Sequence, residues 1–235
     1  MAQVIVALDV PTLDEAMGLV DSLGEETRFY KVGLELFTRE GPSVVRALAE
    51  RDKRIFLDLK LHDIPNTVAR AVDRARELEV DFLTLHTTGG RPMMEAAAGA
   101  AGDDLTLLGV TVLTSMTASD VEDSWGRAVE SLEEDVVRLA RLARAAGVGG
   151  VVASVHEAAA IKNALGAELV VVTPGIRLAG DEAHDQARVS TPAEAVAAGA
   201  DYLVIGRSVT QAPDPAEALR RVCEEASVPR TVPTT

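Results

Sequence analysis

A single cysteine, Cys223, occurs in the 235 residues, so the chain cannot close an internal disulfide, and this usage fits a reducing compartment. Cys223 falls in a segment read as a C-terminal helix, which makes it a poor catalytic thiol. Aromatic residues amount to only 3%. No apolar run approaches the ~20 residues of a membrane span. Before the first apolar strand there is neither a basic region nor a cleavage site, so a soluble, cytoplasmic protein is expected. Basic residues are scarce, 23 Lys and Arg against 37 Asp and Glu, for a formal charge of −14. Without a basic stripe, a nucleic-acid partner is excluded. An anionic ligand would have to be held by a few local cations against an unfavourable overall field. Also missing are a Gly-x-Gly-x-x-Gly run after the first strand, a His/Asp/Glu cluster with metal-ligand spacing, and any linker long enough to divide the chain.

What is present is an alternation of short apolar strands with segments able to form helices. Hydrophobic residues reach 47%, many of them Ala and Val, which suits helices packed closely on a parallel sheet. Strands are predicted over residues 4–8, 29–32, 55–59, 81–86, 106–112, 150–153, 169–173 and 202–205. Capping-box patterns at Thr12 to Glu15, Ser131 to Glu134, Ser154 to Glu157 and Thr191 to Glu194 mark helix starts. Pro192 and Pro215 sit where a helix has no use for an amide hydrogen. Eight strand–helix units in this length predict a single (β/α)8 barrel, an α/β fold over residues 1–226, followed by a flexible tail at 227–235. The rival is a doubly wound open sheet, which the missing glycine motif disfavours.

One strand conflicts with its own burial. Residues 56–67, Phe-Leu-Asp-Leu-Lys-Leu-His-Asp-Ile-Pro-Asn-Thr, place charges inside an otherwise apolar run. With period two, Leu57, Leu59 and Leu61 share one face, and Asp58 and Lys60 share the other with Cα atoms roughly 6.6 Å apart. Charges withheld from water survive when they are paired or when chemistry requires them. A structural ion pair is the plain alternative. In a (β/α)8 barrel, however, chemistry sits at the C-terminal strand ends. Asp9, Lys31, Asp58 with Lys60, His86, Thr114 with Ser115, Pro174 to Arg177, and Gly206 with Arg207 all fall there. The last strand and its exit read as a phosphate site: backbone amides and a glycine allow close approach, and Arg207 adds charge-assisted hydrogen bonds. Arg177 is a second arginine at that end. The long polar stretch after it, residues 178–189, reads as a lid.

These residues carry a specific resemblance to the orotidine 5′-phosphate decarboxylase family of the bacterial type. It covers the chain to about Arg221, through Val6-Ala7-Leu8-Asp9, Lys31-Val32-Gly33, the strand-three segment, the run from Gly109 to Ser115, Thr173-Pro174-Gly175-Ile176-Arg177, and the run from Asp201 to Arg207. The Asp-x-Lys-x-x-Asp pattern is shared with the Mg²⁺-dependent 3-keto-gulonate 6-phosphate decarboxylases and hexulose-phosphate synthases. Here Lys31 stands where those relatives place an acidic metal ligand, and the continuation from His62 to Thr67 resembles the orotidylate enzymes.

The resemblance implies decarboxylation of orotidine 5′-monophosphate to uridine 5′-monophosphate, the last step of UMP synthesis, with neither metal nor organic cofactor. It implies a catalytic array of Lys31, Asp58, Lys60 and Asp63, in which Lys60 gives the proton to C6 and Asp58 lies near the departing carboxylate. It places Asp9 and Lys31 at the ribose, Thr114 and Ser115 at the pyrimidine, and Arg177, Gln186, Gly206 and Arg207 toward the phosphate end, with Pro174 also among the substrate-binding residues. It also implies a homodimer, with Asp63 and Thr67 entering the neighbouring subunit's site beside Ile64.

Overall fold

In the computed structural model, which describes residues 2–178 and 189–227, eight parallel strands close into a barrel in sequence order. They are β1 (Gln3–Ala7), β2 (Phe29–Val32), β3 (Arg54–Leu61), β4 (Phe82–His86), β5 (Thr106–Val110), β6 (Gly150–Val152), β7 (Val170–Thr173) and β8 (Tyr202–Ile205). The helices are α1 (Leu13–Leu23), α2 (Leu34–Glu40), α3 (Pro42–Ala49), α4 (Pro65–Arg76), α5 (Arg91–Ala101), α6 (Ala118–Trp125), α7 (Leu132–Ala145), α8 (Val155–Leu165), α9 (Pro192–Ala197), α10 (Arg207–Thr210) and α11 (Pro215–Ala226). The expected (β/α)8 barrel is what forms. The pairing of β8 with β1, Gln3 opposite Tyr202 through Val6 opposite Ile205, closes it and leaves no sheet edge.

Two apolar clusters follow from the period-two alternation of the strands. Outward side chains such as Val6, Leu8, Ile55, Leu57, Leu83 and Leu203 join the buried faces of the helices in one large core. In α4, for example, Val68, Val72 and Ala75 lie on one face at spacings of four and three, and α4 packs beside α5, which buries Met93, Met94 and Ala97. Inward side chains form a smaller cluster of Ile5, Ala7, Phe29, Phe56, Phe82, Leu108, Val172 and Val204. Most of the scarce aromatic rings are spent here: Phe82 meets Phe29 at 5.1 Å, Tyr202 at 4.9 Å and Phe56 at 6.0 Å between ring centroids. Arg54, bonded to Asp81 at 2.7 Å, lies 4.1 Å from the Phe29 ring centroid. The amino-terminal end of the barrel is thus packed solid, and the opposite mouth is left for a ligand.

The caps follow the expectation in part. Thr191 and Glu194 form the reciprocal box. Thr12 and Ser131 accept from the amides of Glu15 and Glu134, the forward half of the motif. Ser154 instead accepts from His156, one residue earlier than the spacing implied. A further reciprocal box, Thr117 with Asp120, opens α6. The expected lid at 178–189 falls almost wholly on residues 179–188, outside the described residues, as does the expected tail from residue 228 onward. The ends of the former stretch meet: Arg177 N donates to Ser190 O at 3.0 Å, and Ser190 N to Gly175 O at 3.2 Å. No helix among the described residues is long and apolar enough to cross a membrane.

Candidate active site

The alternation that fills the barrel also builds its mouth. Two residues beyond Ala7 comes Asp9, beyond Phe29 comes Lys31, beyond Phe56 comes Asp58, and beyond Phe82 comes Thr84. Lys31 Nζ donates to Asp9 Oδ1 at 2.8 Å and stands 3.8 Å from Asp58 Oδ2. Lys60 Nζ donates to the same Asp58 Oδ2 at 2.8 Å. The result is a chain of alternating charge across β1, β2 and β3.

Lys60 reaches Asp58 by a less regular path than simple strand alternation. Leu57 pairs with Leu83 and Leu61 with Leu85, so four steps along β3 match two along β4. The excess is a bulge containing Asp58 and Lys60, and bulges re-aim side chains. Lys60 adopts φ 49°, a left-handed conformation rare for a residue with a Cβ. Its backbone N–H is met by Thr84 Oγ1 at 2.9 Å, and the Thr84 hydroxyl donates to Asp58 Oδ1 at 2.9 Å.

Asp58 is deeply buried, with its side chain 11% exposed. Burial by itself pushes its carboxyl upward. The charges of Lys31 and Lys60, with hydrogen bonds from Lys60 and Thr84, outweigh that and hold it below the usual carboxylate range. Asp58 is therefore an anion at neutral pH. His86 ends β4 with its ring 5.3 Å from that of His62, and burial first, then His62 and Lys60, push its pKa down.

The mouth holds a cavity of about 440 Å³, a size suited to a small-molecule ligand. Asp9, Lys31, Asp58 and Lys60 form one side of its wall. Pro174, Arg177, Gly206 and Arg207 form another, and Thr114 joins them. Gly206 precedes α10, and a Cβ there would meet only Ala7 and Asp9, each at 3.8 Å. Ser115 is exposed and off the wall. Asp63, Ile64 and Thr67 also lie off it, all exposed, and Ile64 is 67% accessible. The fourth member of the expected array is thus not brought to the other three within one chain. Gln186 lies outside the described residues.

Other wall and supporting residues were given no role from the sequence. Gln211 and the apolar Val110, Val112, Leu113 and Val152 line the cavity, and Thr84 supports Asp58 from behind. Gly33 is a further one: a Cβ there would come 2.9 Å from Lys31 Nζ and 3.2 Å from Asp9 Oδ1. The signal for Thr84 was a hydroxyl in an apolar strand, at the same parity as Phe82 and His86. Among the described residues, no group of three or more His, Cys, Asp or Glu side chains is gathered to hold a metal ion.

A (β/α)8 barrel with an alternating charged array and two arginines at the strand exits defines a class, the barrel enzymes acting on small anionic substrates. The particular family follows from comparison. The profile of the orotidine 5′-phosphate decarboxylase / HUMPS family matches residues 2–222, and the chain belongs to that family of enzymes. Orotidine 5′-phosphate decarboxylase of Moorella thermoacetica is 49% identical over 231 residues, covering 95% of this chain and 91% of the relative. That of Anaeromyxobacter sp. (strain K) is 50% identical over 220 residues, covering 94% and 96%. The crystal structure of orotidine 5′-phosphate decarboxylase from Lactobacillus acidophilus superposes with a TM-score of 0.86 at 33% identity, covering 97% of this chain and 100% of that one.

Proposed function

We propose that this chain decarboxylates orotidine 5′-monophosphate to uridine 5′-monophosphate and CO2 in the cytoplasm, as the last step of UMP synthesis, without metal or organic cofactor. The observation that carries the reading is the buried array in which Asp58 is held ionised between Lys31 and Lys60 at the cavity wall. The bond from C6 to the carboxyl carbon breaks, and its electron pair stays on C6. The Lys60 ammonium stabilises that pair and transfers a proton to it, and the resulting amine regains a proton from water. Asp58 faces the substrate carboxylate. At ~4 Å and an effective dielectric near 20, two carboxylates repel by roughly 4 kcal/mol, which is relieved as neutral CO2 departs. Preorganised charge does the rest.

Asp9 and Lys31 hold the ribose hydroxyls, and Thr114 faces the pyrimidine. Arg177, Gly206 and Arg207 hold the phosphate, and Pro174 lines the cavity beside them. The exposed Asp63, with Thr67 and Ile64, completes the site of a second subunit in a homodimer.

The test is to follow the ultraviolet absorbance of orotidylate mixed with purified protein in the presence of a chelator. Conversion to uridylate is expected. Lys60→Ala should remove nearly all of it while the circular dichroism spectrum stays that of the folded barrel. A loss of less than tenfold would remove Lys60 from its role.

A further inference from the structure

The Thr84 hydroxyl has one proton to give and two lone pairs to receive with. The Lys60 backbone N–H can only donate, so at 2.9 Å it occupies a lone pair of Oγ1. The single hydroxyl proton is then committed to Asp58 Oδ1, also at 2.9 Å. Asp58 Oδ2 takes the Lys60 ammonium at 2.8 Å. Each carboxylate oxygen therefore has its own donor, and both donors are tied to the same two residues of β3. Thr84 is itself fully buried and does not line the cavity; it reaches the wall only through Asp58 and Lys60.

We propose that Thr84 is the positioning residue of this site: one hydroxyl clamps the Asp58 carboxylate and the left-handed Lys60 backbone together, so that anion and ammonium are presented as one rigid unit. The inference rests on the reading of Asp58 and Lys60 given above. Its physical basis is that a carboxylate held through one oxygen can turn about its last torsion, whereas one held through both cannot. Lys60 at φ 49° is likewise a conformation that its surroundings must hold in place. Accepting the Lys60 amide also polarises the hydroxyl and strengthens its bond to Asp58.

Thr84→Val keeps the shape and removes both bonds. With substrate contacts untouched, kcat should fall about tenfold to a hundredfold, while KM changes by less than about threefold. Thr84→Ser, which restores the hydroxyl, should recover most of the rate. An independent readout is the titration of the Asp58 carboxyl followed by carbon-13 NMR in free protein. Its charged groups within reach are Lys31 from β2, with Asp9 behind it, Lys60 from β3 and His86 from β4. These are unchanged in the variant, so loss of the Thr84 bond should raise the Asp58 midpoint, and Thr84→Ser should return it.

A folded Thr84→Val protein with wild-type kcat overturns the inference, whatever the Asp58 titration shows. So does a kcat loss that Thr84→Ser fails to recover. Failure of the underlying reading is seen separately, as wild-type protein that does not convert orotidylate or Lys60→Ala protein that still does.

Discussion

At the scale of single residues, the mouth of the barrel shows burial and charge in competition. Asp58 remains ionised because two ammonium groups and two hydrogen bonds outweigh its desolvation. At His86 the Asp58 carboxylate pulls the same way, but burial and the positive charges of His62 and Lys60 outweigh it and lower the affinity for a proton. The consequence for stability has a definite sign. The folded pKa of His86 lies below the unfolded value of about 6.5, so the unfolded chain takes up the proton first as pH falls. This group's contribution is fully present above pH ~6.5 and is lost as pH falls through the folded value. Asp58 acts in the same direction, but only below the carboxylate range, so the two windows are separate. Urea midpoints measured at pH 7.5 and 5.5 should differ less in His86→Gln than in wild type. Equal differences in the two proteins would show that His86 does not titrate across this interval. The charged residues of this site were legible because Asp and Lys violate the apolar pattern of a strand. Thr84 was not, since threonine is at home in any strand and only the register of β3 against β4 brings it to Asp58.

At the scale of elements, two turns at the strand ends carry consequences that can be measured. Gly33 links β2 to α2 with φ −94°, a conformation open to any residue, so its backbone does not demand glycine. Space does, because a Cβ would press on Lys31 Nζ at 2.9 Å. Gly33→Ala should leave the thermal midpoint nearly unchanged, yet lower kcat/KM at least about tenfold, since small misplacements of reacting groups are costly. A thermal shift without a kinetic one would assign the glycine to packing instead.

The second turn joins β8 to α10, where Gly206 and Arg207 face the cavity. A phosphate far from the reacting carbon can speed the chemistry only if its binding favours the transition state. Arg207→Ala should therefore reduce kcat/KM for orotidylate by about tenfold or more, through loss of a charge-assisted contact, and barely affect the slower reaction of orotidine. Similar losses on both substrates would detach Arg207 from the phosphate.

At the scale of the whole molecule, the cavity of one chain is an incomplete version of the expected array. Asp63 stands on the exposed turn between β3 and α4, away from the wall that holds Lys31, Asp58 and Lys60. Ile64, beside it, is 67% accessible. If two barrels meet there, each supplies Asp63 to the other. Inactive Lys60→Ala and inactive Asp63→Ala proteins, mixed and allowed to exchange subunits, should then recover activity, because one site of each heterodimer is wholly wild type. Verified exchange without recovery would return Asp63 to its own chain.

The sequence by itself determined the barrel, since eight apolar strands separated by capped, amphipathic helices have few other ways to bury both faces of a parallel sheet. It also marked where the charged array lies, because charge in a buried strand must be paired or used. Tertiary structure alone decided how that array is assembled. The bulge that turns Lys60 back toward Asp58 and the hydroxyl of β4 that meets both are relations between separate strands, and the room Gly33 leaves for Lys31 matters only once that ammonium is drawn to Asp9 and Asp58. They depend on register and on ångström-scale separations, whereas a pattern of residue types records only which face each side chain takes.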